Sequence, residues 1–134
     1  MIIIGDSTVL KFPEDEIFTV NSYPGMTLLQ YLRTYNDLQE DEDIIIYSFG
    51  TNDYGMGEDE NSIMANYQKL KKGTKFTFIV VPACLDYDFY DKCLDLPDDL
   101  QFLESFLLSD DIHVSDEILS DLKEEILDCI KKST

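Results

Sequence analysis

A chain of 134 residues with 44% hydrophobic side chains can bury one core without disulfide staples, so a single domain over residues 1–134 is expected. Its 28 acidic residues against 10 basic ones give a formal charge of -18, which repels phosphate backbones and anionic lipid headgroups and argues against nucleic acid as a partner. Cys84, Cys93 and Cys129 lack Cys-x-x-Cys spacing, which argues against a disulfide framework or a zinc site, and no apolar run reaches the length of a membrane span.

Short apolar runs with β-branched residues alternate with segments at helical spacing. This is the pattern of parallel strands buried on both faces by crossover helices, so the fold class is α/β. The first strand is predicted over residues 2–4 and the second over residues 17–20. Thr27 follows as the cap of a helix carrying Leu28, Leu32 and Tyr35. Residues 44–49 make the strongest strand, and Asn61 or Ser62 is placed to cap a helix with Ile63, Tyr67 and Leu70 on its apolar face. A fourth strand covers residues 75–81. The first, third and fourth runs are almost continuously apolar, which places them at the sheet centre. Residues 86–99, rich in Asp and Tyr with Pro97, read as mostly loop. Residues 100–108 fit a fifth strand or a short helix, and periodicity does not decide between them. Ser115 then caps a closing helix in which Ile118, Leu122, Ile126 and Ile130 recur at four-residue steps, with Lys131 and Lys132 at the end that favours cations. The apolar opening is too short for a signal peptide and lacks a basic start, so a cytoplasmic location without membrane insertion is expected.

Four pieces carry chemistry. Gly5-Asp6-Ser7 directly follows the first strand, where the hydroxyl of Ser7 would enter the crevice beyond the carboxyl ends of a parallel sheet; the same tripeptide also serves as an ordinary turn. His113 is the only histidine, so any serine mechanism that relies on an imidazole base must use it. Asp110, three residues earlier, is spaced to orient that imidazole, with Asp111 as the competing carboxylate. Asn52, in Gly50-Thr51-Asn52-Asp53 after the third strand, offers an amide suited to an oxyanion, and Gly25 after Pro24 permits a positive φ with its N–H exposed for the same task. Turn chemistry alone accounts for either of those two segments.

Taken in this order, Gly-Asp-Ser, a Gly after the second strand, Gly-x-Asn-Asp after the third and Asp-x-x-His before the last helix resemble the SGNH (GDSL-like) hydrolase family, over nearly the whole chain. The resemblance implies a three-layer α/β/α sandwich with a five-stranded parallel sheet, flavodoxin-like in its layers and distinct from the α/β-hydrolase fold, whose Gly-x-Ser-x-Gly elbow is absent. It implies Ser7 as nucleophile, His113 as base and then acid, Asp110 as its orienting carboxylate, and an oxyanion hole of the Ser7 N–H, the Gly25 N–H and the Asn52 amide. No cofactor or metal is implied, and the partner is a small-molecule or carbohydrate ester. The chain departs from the family in its shortness, in Thr8 where a Leu is usual, and in the little room that residues 86–99 leave for a helix. A trimmed chain with these features suits a small acyl ester such as a carbohydrate O-acetyl group; the alternative is a noncatalytic binding or scaffold module on the same fold. Tyr54 and Tyr87, with Phe89 and Tyr90, follow the third and fourth strands and are candidates for stacking on a sugar, or for packing loops onto the domain.

Overall fold

In the computed structural model, which describes residues 1–9, 17–81 and 100–104 together with Lys123, Glu124, Leu127, Asp128 and Lys131, five strands form one parallel sheet. They are β1 (Ile2–Gly5), β2 (Thr19–Ser22), β3 (Ile44–Ser48), β4 (Phe76–Val81) and β5 (Leu100–Glu104), in the order β2-β1-β3-β4-β5. The α/β class and the central position of β1, β3 and β4 follow the expectation. Helices α1 (Leu28–Thr34), α2 (Thr51–Gly55) and α3 (Glu60–Tyr67) lie in the connections.

Successive side chains of a strand point to opposite faces, so each unbroken apolar run supplies two cores. Ile2, Ile4, Ile45, Tyr47, Ile79 and Val81 pack on one face with Leu28 and Tyr31 of α1 and Ile63 and Tyr67 of α3. Ile3, Ile44, Ile46, Phe78 and Val80 form the other core with Val9, Phe18 and the half-buried Leu127. Lys123, Glu124, Leu127, Asp128 and Lys131 are helical, as the closing-helix prediction requires at those positions. The Lys123 ammonium sits 5.1 Å above the Phe18 ring. Ser115, Ile118, Leu122, Ile126, Ile130 and the three cysteines lie outside the described residues.

Two expectations are corrected. The second strand is Thr19–Ser22 rather than residues 17–20, because pairing starts where the Thr19 N–H meets the Met1 carbonyl at 2.9 Å and Ile17 is left 56% exposed before it. The cap of α3 is Asp59, whose carboxylate accepts from the Ser62 N–H at 2.8 Å, so Asn61 and Ser62 lie inside the first turn. Of the two alternatives open for residues 100–108, residues 100–104 take the strand, paired in parallel with β4 from Thr77↔Leu100 to Val81↔Glu104.

Thr27 caps α1 as predicted, through a reciprocal box: its hydroxyl accepts from the Gln30 N–H at 3.1 Å and the Gln30 side chain accepts from the Thr27 N–H at 2.9 Å. Polar pins fix the connection after α3. Asn36 donates to the Lys69 carbonyl and accepts from the Lys71 N–H, and the Tyr47 hydroxyl donates to the Lys71 carbonyl.

Candidate active site

The strand order itself locates a crevice. The chain runs from β1 outward to β2 and then crosses back to β3 on the other side of β1, which makes the β1/β3 boundary a topological switch point. In open parallel sheets, ligands bind beyond the carboxyl ends of the strands at such a point. Gly5 at the end of β1 pairs with Ser48 at the end of β3 and with Ser22 at the end of β2, so three chain segments leave the sheet side by side.

The first segment turns at Asp6, which is 1% exposed, into a short 3-10 turn, Ser7–Val9. Its backbone is tied to both neighbours: the Asp6 N–H donates to the Ser48 carbonyl at 3.2 Å, and the Ser22 hydroxyl donates to the Asp6 carbonyl at 2.8 Å. Ser7, half-buried, opens that turn.

The second segment is the turn Tyr23-Pro24-Gly25-Met26, closed by the Met26 N–H donating to the Tyr23 carbonyl at 3.0 Å, with Gly25 at φ 77°. Proline second and a positive-φ glycine third are what a type II turn demands. The turn's own hydrogen bond uses the Met26 N–H and not that of Gly25.

For the third segment the sequence offers either an oxyanion amide at a strand end or plain turn chemistry, and no helix. Instead Gly50, at φ 117°, leads into α2, so Asn52 and Asp53 stand on a helical turn. The Asn52 Nδ2 donates to the Met26 carbonyl at 3.1 Å and contacts the Asp6 Oδ2 at 3.5 Å. One amide thereby touches both the Gly5-Asp6-Ser7 segment and the Gly25 turn. Asp53, 1% exposed, accepts from the Leu28 N–H on Oδ1 at 2.8 Å and from the Leu29 N–H on Oδ2 at 3.3 Å. Sequence reasoning missed this carboxylate. Five helical residues are too few to show a period, and the partners of Asp53 lie 25 and 24 positions away.

Of the predicted site residues, Ser7, Gly25 and Asn52 are therefore carried by three adjoining segments at the carboxyl end of the sheet. Tyr54 is on α2 and 48% exposed. His113, Asp110, Asp111, Tyr87, Phe89 and Tyr90 lie outside the described residues. A cleft of about 270 Å³ lies between α1 and α2, lined by Thr27, Leu29, Arg33, Asp53, Met56 and Glu58 and by none of Ser7, Gly25 and Asn52. Among the described residues no group of three or more His, Cys, Asp or Glu is arranged to hold a metal ion, and no helix is long and apolar enough to cross a membrane. In comparisons with known proteins, the chain matches no protein-family model, no curated protein and no solved structure.

Proposed function

We propose that the chain is a serine ester hydrolase of the SGNH type, built as the corresponding three-layer sandwich and acting on a small acyl ester such as a carbohydrate O-acetyl group. The observation that carries this reading is the Asn52 amide, 3.1 Å from the Met26 carbonyl and 3.5 Å from the Asp6 carboxylate. The side chain suited to an oxyanion thus bridges the segments bearing the nucleophile and the second donor.

In the proposed reaction Ser7 Oγ attacks the ester carbonyl while His113, oriented by Asp110, takes the hydroxyl proton. The oxyanion is held by the Ser7 and Gly25 N–H groups and by the Asn52 amide. Collapse passes the His113 proton to the leaving alcohol and leaves acyl-Ser7. A water deprotonated by His113 then releases the acid and regenerates Ser7.

The second reading, a noncatalytic binding or scaffold module, is favoured by the same amide, because its two contacts occupy the hydrogens that an oxyanion would need. The 3.5 Å contact to Asp6 is the longer one and the one given up in the catalytic reading. Turnover of a short-chain aryl ester separates the two. The esterase hydrolyses it and Ser7→Ala does not; equal rates for the two proteins, or none for either across a broad ester panel, support the module.

A further inference from the structure

We infer that Asp53 is a positioning residue, the clamp that holds the two non-nucleophile oxyanion donors at a fixed separation. This rests on the esterase reading above and extends it to a side chain that touches no reacting atom.

Gly25 and Asn52 belong to different connections, and each needs to hold its place to within a fraction of an ångström for an oxyanion to meet both donors. Asp53 joins those connections. Its carboxylate is almost wholly buried, and its two oxygens accept from the consecutive N–H groups of Leu28 and Leu29, three and four residues after Gly25. Thr27 satisfies the next N–H, that of Gln30, so side chains fill the start of α1 and fix it against α2. Asn52, the adjacent residue, reaches the same loop through the Met26 carbonyl. Neighbouring side chains on α2 thus grip residues 26–29 at three points, and the Gly25 turn cannot slide relative to the Asn52 amide without breaking a buried charge-assisted hydrogen bond.

Asp53→Asn is the informative change, because it keeps the shape but replaces one accepting oxygen with an NH₂ group that faces a backbone donor. The expected result is a fall in kcat of about 10- to 100-fold with KM nearly unchanged, since the oxyanion exists only beyond the ground state. The Leu28 or Leu29 amide proton should exchange with solvent faster, while those of Ile45 and Ile79 in the sheet keep their protection. Asp53→Glu, which restores the charge, should recover part of kcat. Wild-type kcat in a folded Asp53→Asn protein whose Leu28 and Leu29 amides exchange fast would overturn the clamp and leave the esterase reading standing. Loss of activity in step with lost Ile45 and Ile79 protection would also overturn it, by reducing Asp53 to a stabilising residue. A wild-type protein no more active than Ser7→Ala defeats the esterase reading first, and the inference with it.

Discussion

At Gly5 there is no room for a side chain: a Cβ would stand 2.6 Å from the Ser48 carbonyl oxygen and 3.0 Å from Val9. Gly5→Ala must push β1 away from β3 at the point where both strands lead into the site, and a loss of about 1–3 kcal/mol in urea unfolding is expected. Gly25 presents the opposite case, with open space around the missing Cβ but φ at 77°. Its replacement by Ala acts through backbone strain alone, about 1–2 kcal/mol. At Asn52, truncation to Ala removes an oxyanion donor, so the proposed chemistry predicts a fall in kcat of roughly 10²–10³ with a smaller change in KM, read from steady-state ester hydrolysis. The placement of Ser7, Gly25 and Asn52 in neighbouring connections was legible because each follows the end of a predicted strand. Asp53 was not, since its value lies in backbone donors supplied by a helix remote in sequence.

At the level of elements, side-chain caps decide where α1 and α3 begin. Thr27→Ala breaks the reciprocal box of α1 and Asp59→Ala uncaps α3; each should cost about 1 kcal/mol by denaturant unfolding without altering the sheet. The Tyr67 hydroxyl, buried on α3, donates to the Phe49 carbonyl at the end of β3. Tyr67→Phe leaves that carbonyl unsatisfied, with an expected loss of about 1–3 kcal/mol. Central strands were readable because burial on both faces demands unbroken apolar runs such as Ile44-Ile45-Ile46-Tyr47. The bounds of β2 were not, because an edge strand tolerates polar residues: Asn21 and Ser22 extend the ladder while the apolar Ile17 stays outside it. Asp59 lost to Asn61 and Ser62 as the expected cap since all three can accept from backbone N–H groups, and only the fold selects which one does.

Over the whole molecule, the core beneath α1 holds phenols that resist ionisation. Burial, aided by Tyr23, pushes Tyr31 up from 10.0 to about 12, and burial beside Tyr31 pushes Tyr47 higher still. From pH 10 to about 12 the unfolded chain sheds protons that the folded one keeps, so this contribution is complete below pH 10 and is lost as the pH rises through that window. Unfolding free energies measured from about pH 9 to 11 should fall accordingly, and a flat profile would refute the assignment. A charge of -18 also predicts that moderate salt raises stability by screening self-repulsion, which thermal unfolding at two ionic strengths checks. The parallel α/β architecture was thus readable from apolar runs, whereas the strand order that makes β1/β3 the switch point arises only when the strands assemble. The claim on which the rest depends is that Ser7 is an activated nucleophile. Treatment with a fluorophosphonate, followed by intact-mass measurement and peptide mapping, tests it most directly: one adduct on Ser7, absent from Ser7→Ala and strongly slowed in His113→Ala, is the predicted result, and an unmodified protein or an adduct that persists in Ser7→Ala would contradict it.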